Sequence, residues 1–139
     1  MVAFNFFDAF TEHTAEKVHN LGSDTLTVAL CSAANAPSAS ADAVLADVTQ
    51  ISYTNLSSRV LTTSSSAQTA GDYALTLGDL TLTASGGSVA AFRYILIYND
   101  TPTSPADPLI GWYDYGSDLT LATGESLLID FSGALITIG

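Results

Sequence analysis

Basic side chains are almost missing from this chain. Lys17, Arg59 and Arg93 are the whole inventory against 14 acidic residues, a net charge of −11 over 139 residues. Binding a polyphosphate backbone needs clustered Lys and Arg to displace counterions, so direct contact with nucleic acid is disfavoured. An anionic membrane surface is disfavoured for the same reason. Cysteine is scarce too: Cys31 stands alone, so no disulfide can close within the chain. It lies in an apolar stretch with no histidine pattern around it, which marks a small core residue rather than a reactive thiol. Charge of either sign is thin, at 12% of residues against a usual figure of about a quarter. The polar surface therefore falls to Ser, Thr, Asn and Gly, which suits β proteins and assembly faces. The opening MVAFNFFDAF is apolar but short, acidic and without a basic flank, so neither a leader nor a membrane segment is expected, and the chain is expected to be a soluble product of the cytosol. There is no G-x-S-x-G, no H-E-x-x-H and no phosphate-binding glycine loop, so no enzyme is expected.

What is present is apolar sequence in short runs. Hydrophobic residues make up 47% of the chain, which argues against disorder, and the length suits one domain with its own core. A helix is expected over Phe6–Asn20, with Asn5 as N-cap, Asp8 in a capping-box position and Gly22 as the stop. The three leading phenylalanines are also compatible with an extended arm, so residues 1–22 are set apart as a helix or arm. Residues 23–139 are expected to form a single antiparallel β-sandwich, jelly-roll-like. From Leu26 to Leu30 the apolar residues alternate. Ser32–Ala41 reads as a loop, followed by a helical turn after Asp42 and strands at Thr49–Tyr53 and Ser57–Thr63. Thr63–Gly71 reads as a flexible polar loop. Between Tyr73 and Ala84 the apolar phase flips across Gly78-Asp79, which requires a bulge or a sharp bend. Ala84–Ser88 reads as a hairpin turn. Further strands are expected at Asp118–Leu121, Glu125–Phe131 and Ala134–Ile138, with turns at Thr123-Gly124 and Ser132-Gly133.

The most informative stretch is Gly87–Gly116, GSVAAFRYILIYNDTPTSPADPLIGWYDYG. Its first strand, Ser88 to about Tyr98, is apolar on both faces and must be covered on both. One cover is the chain's own core; the other is expected to come from a neighbouring copy or a partner. An aromatic strand follows from Pro108 to Tyr115. Arg93 sits inside the first strand and needs a carboxylate, with Asp114 and Asp130 as candidates.

Each chemical signal has a plainer explanation. His13 and His19, six apart, fall on different sides of the expected helix and serve one metal poorly. Asp100, Asp107, Asp114 and Asp118 are compatible with a calcium site, but no calcium-loop pattern is present, and turn chemistry explains such residues better. No metal or other cofactor is expected. Trp112, Tyr113, Tyr115 and Tyr98 could form a carbohydrate platform, yet a role as core or interface anchors outweighs it. The candidate interface set is Phe4, Phe6, Phe7, Phe10, Arg93, Tyr98, Trp112, Tyr113 and Tyr115.

Three stretches, AEKVHNLGSDTLTVAL (15–30), FRYILIYNDTPTSPADPLIGWYDYG (92–116) and GESLLIDFSGALITI (124–138), resemble small virion structural proteins of tailed bacteriophages. The resemblance covers most of the chain and is weakest over Ser32–Gly71. It implies a capsid decoration, or cement, protein: β-rich, a homotrimer, bound to the major capsid protein on the capsid surface and assembled in the host bacterial cytoplasm. An apolar N-terminal segment would clip onto a neighbour. The alternative is a tail or head-fibre component, or a glycan-binding receptor-recognition module. A hydrolase or lyase on a jelly-roll scaffold would need a convergent polar pocket, and both histidines lie on the expected helix instead.

Overall fold

A computed structural model of the chain describes residues 3–139. In chain order its elements are β1 (Phe4–Phe6), α1 (Ala9–Ala15), β2 (Leu26–Cys31), β3 (Thr63–Thr69), β4 (Asp72–Leu77), β5 (Leu80–Thr83), β6 (Phe92–Asn99), β7 (Leu109–Leu119), β8 (Ser126–Ile129) and β9 (Ala134–Ile138). The fold is mainly β, with antiparallel sheets and one short α-helix among the described residues. A four-stranded sheet, β1-β7-β6-β2, faces a ribbon built from β3-β4-β9 and β5-β8 in a sandwich-like arrangement.

The ribbon explains the phase flip. At Gly78-Asp79 the chain leaves β4, which pairs with β9, and enters β5, which pairs with β8. The paired segment of the same chain, from β8 to β9, turns the same corner at Phe131–Gly133, and the two turns are tied by the Phe131 amide donating to Asp79 Oδ1 at 2.8 Å. Ser132-Gly133 is therefore a corner between sheets rather than a hairpin. The same correction holds for Ala84–Ser88, since β5 and β6 belong to different sheets.

Every residue of β6 except Arg93 is buried, and both of its covers come from this chain. Phe92, Ile95 and Ile97 join Leu26, Val28, Leu30, Leu75, Leu82 and Ile136 in the core between the sheets. Tyr94, Leu96 and Tyr98 join Ala29, Cys31, Phe7 and Leu109 in a second cluster, flanked by Leu45, Val48 and Trp112. The expectation that a neighbouring copy covers the second face of this strand is corrected: the N-terminal segment and the 33–48 loop do so. Burial raises the Cys31 thiol to about 11, which leaves it protonated and inert.

The N-terminal segment docks on its own sheet. β1 pairs with β7 in the register Phe4↔Tyr113 to Phe6↔Gly111. Gly111 permits this approach, because a Cβ there would lie 2.5 Å from the Asn5 carbonyl oxygen and from the Phe4 ring. Asn5 is thus a strand residue, and Asp8 takes the N-cap position. The helix ends at Ala15, well before Gly22, because Lys17 adopts φ 64°. The Val18 amide then donates to the His13 carbonyl and the Lys17 amide to that of Thr14, a Schellman closure.

The polar stretch Thr63–Gly71 is a strand and not a loop. It forms a two-residue hairpin with β4 through Ala70 and Gly71, both at positive φ. Thr49–Tyr53 forms no strand, and Ser57–Thr63 is irregular apart from a bridge between Val60 and Thr27 and the first residue of β3. Of the expected strand at Asp118–Leu121, Asp118 and Leu119 are the end of β7, and Thr120 and Leu121 lie outside any strand.

Candidate interaction surface

β7 carries three of the four aromatic residues considered above for a carbohydrate platform, Trp112, Tyr113 and Tyr115, and a bulge sorts them. Ile97 pairs with Gly111 but Tyr98 with Leu109, so one residue is extra on β7 and the phase shifts. Leu109 and Trp112 consequently face the second cluster, while Ile110 and Tyr113 face the main core. Trp112 packs on Phe7 with ring centroids 4.7 Å apart and the planes tilted by 50°, and Tyr98 is buried. Trp112 and Tyr98 therefore lie on the opposite side of the sheet from Tyr113, and the four rings do not form one platform.

The candidate interface set divides in the same way. Phe7, Phe10 and Tyr98 are buried inside the chain. Phe4 and Tyr113 are half-buried, while Phe6 and Tyr115 are 42% and 44% exposed. Phe6, Phe4 and Tyr113 form an aromatic row, with Phe4 5.1 Å from Phe6 and 4.9 Å from Tyr113. Burial shifts the Tyr113 phenol upward.

This row borders an apolar trough that sequence reasoning missed. It runs between β7 and β8 with a volume of about 480 Å³, lined by Tyr113, Tyr115, Leu127, Leu128 and Ile129, with Asp130 on its rim. A smaller cleft of about 270 Å³, bounded by Phe4, Phe131 and Leu135, adjoins it at Tyr113. Leu128 is the most exposed of the trough's apolar residues at 56%. The only available signal was three consecutive apolar residues, Leu127–Ile129, in a four-residue strand: they cannot all face inward.

Arg93 pairs with Asp114, which settles the choice between Asp114 and Asp130. Its Nε and Nη2 donate to the two carboxylate oxygens at 2.8 and 3.1 Å. Asp114 Oδ1 also accepts from the Gly116 amide at 2.8 Å. Arg93, then this amide, hold the carboxyl below the usual carboxylate range. The same contact steadies the outward excursion of Tyr115–Asp118, where β7 leaves the register of β6. With the side chains 31% and 37% exposed, the pair is a surface pair of small energetic weight. Asp114→Ala should lower the melting temperature only slightly yet speed amide exchange at Gly116. Unchanged exchange there would show that Asp114 does not brace the excursion.

The four carboxylates considered for calcium do not converge. Asp100 and Asp107 interact with each other, and burial with that contact raises the pKa of Asp107. Asp114 holds Arg93, and Asp118 accepts from the Ala33 amide at 3.1 Å. No group of three or more His, Cys, Asp or Glu is placed to hold a metal ion among the described residues.

The histidines, by contrast, do meet. The reversal at Lys17 brings the His19 ring within 6.0 Å of His13, so they are not on opposite sides of one helix. His19 Nδ1 accepts from Asn99 Nδ2 at 3.0 Å, and the same Nδ2 donates to Asp24 Oδ2 at 2.6 Å. Accepting at Nδ1 requires a neutral ring with its proton on Nε2. Burial first, then the neighbouring His13, lower the His19 pKa to about 4, with Asp24 opposing.

No family model matches the chain, and neither a curated protein nor a solved structure matches it. No helix among the described residues is long and apolar enough to cross a membrane.

Proposed function

We propose that this chain is a structural protein of a bacteriophage virion, a capsid decoration protein that binds the major capsid protein and stabilises the head. The observation that carries the proposal is the trough between β7 and β8, where Tyr115 and Leu128 stay exposed after both faces of β6 have been covered from within. Apolar surface left open beside a satisfied core marks a binding face. The low charge density and the sequence resemblance support the same role. Internal DNA pressure pulls capsomers apart, and a cement opposes it by burying apolar area and forming hydrogen bonds across their seams. Association as a homotrimer would multiply a modest affinity per subunit through effective concentration.

The test is to mix purified protein with undecorated phage heads and image the particles. Regular added density over the shell, with a copy number approaching that of the capsid subunit, is expected. A few copies at a tail or fibre would favour the alternative placement, and bare shells would overturn the proposal.

A further inference from the structure

Two strand edges border the trough. β8 pairs with β5 on one side, and no strand among the described residues pairs with its other side. β7 is paired by β1 only from Gly111 to Tyr113, so its edge beyond Tyr113 has no strand partner on that side. An open edge presents unpaired amides and carbonyls that a further strand can take up.

The chemistry of the rim narrows the occupant. None of the three basic side chains of the chain lies at the trough. Arg93 is held by Asp114, Arg59 donates to the Val28 carbonyl and stacks over Tyr53 at 3.6 Å, and Lys17 ends the helix. Asp130 stands on the rim, in a chain of net charge −11. A second copy seated here in the same way would bring a trough with no basic side chain of its own to offer Asp130. A strand carrying Lys or Arg would instead find complementary charge around an apolar floor.

We infer that the trough receives an extended segment of a different protein, which pairs with the outer edge of β8, sets alternate apolar side chains against Tyr113, Tyr115 and Leu128, and presents Lys or Arg toward Asp130. The main-chain bonds supply affinity, and the alternation supplies choice of sequence. This rests on the binding role proposed above and names the kind of segment the capsid partner would contribute.

The test uses the full chain and three fluorescent peptides of about ten residues: alternating Val and Lys, alternating Val and Glu, and alternating Ser and Lys. The Val/Lys peptide is expected to bind, more weakly as salt rises from about 0.15 M to about 0.5 M, and its bound amides should exchange slowly. The other two should bind at least about tenfold more weakly. Leu128→Asp, at an exposed position that should leave folding intact by circular dichroism, should weaken the Val/Lys peptide about tenfold. Asp130→Lys should shift preference toward Val/Glu. Equal binding of the Lys and Glu peptides, absent binding, or bound amides that exchange freely would each overturn the inference. So would a self-association abolished by Leu128→Asp, which would make a second copy the occupant. Leu128→Asp protein that loses the peptide but still coats shells would sink this inference and leave the decoration role standing. Wild-type protein that binds the peptide but ignores shells would do the reverse.

Discussion

Phe7→Ala should lower the free energy of unfolding by about 3–5 kcal/mol, the cost of a large ring removed from a packed interior. Phe7 is 1% exposed and lies beneath Trp112, in the cluster that covers the second face of β6. Its amide also donates to the Ile110 carbonyl, so backbone and ring together seat the N-terminal segment on the sheet. The cavity would open against Leu96, Tyr98 and Ala29, all buried, with little freedom to collapse. Trp112→Ala should cost less, because that ring is only half-buried. Denaturant unfolding of both variants checks the order. A Phe7→Ala protein as stable as the parent would show that residues 4–10 are not part of the fold's core, and the segment would again be free to reach a neighbour.

Acid should weaken the fold through His19. Its pKa is about 4 in the folded chain against 6.5 for an unperturbed histidine. Between these values the unfolded chain binds a proton that the folded chain does not. The stabilisation is therefore present above pH 6.5 and is lost as the pH falls toward 4; the full shift would correspond to about 2 kcal/mol by pH 5, and partial exposure of the ring to solvent screening makes that an upper bound. Burial is the main cause, with His13 beside it; in addition, a proton on Nδ1 would confront the Asn99 amide that now donates to it, and Asn99 cannot turn freely because its Oδ1 accepts from the Thr101 amide. Acid acts on carboxylates as well, so the comparison with His19→Gln isolates the histidine. Urea midpoints measured at pH 7.5 and pH 5 should fall further in the parent than in the variant. Parallel decreases would remove His19 as the cause.

Local chemistry accounts for what could be read in advance. Alternation in β2, the apolar run of β6 and the aromatic run of β7 each appear as strands because their periodicity is carried by neighbouring residues. The bend at Gly78-Asp79 was visible for the same reason. β3 was hidden because its residues are nearly all exposed and polar, and it owes its form to pairing with β4. The helix end was hidden because Lys17, not a glycine, takes the left-handed position. The two histidines meet only because of that reversal. Of the candidate interface residues, those that stay on the surface could not be told from those that enter the core, since both kinds are aromatic.

The sequence alone determined a mainly β, acidic, cysteine-poor chain, a strand apolar on both faces, and an arginine within it that required a carboxylate. Tertiary structure decided which groups met those requirements: Phe7, Leu45 and Val48 cover β6, and Asp114 rather than Asp130 receives Arg93. It also decided where apolar surface remains open, at β8. Periodicity is a property of adjacent residues. Cover is a property of residues far apart in the chain, such as Phe7 and Trp112, and only the folded topology brings them together.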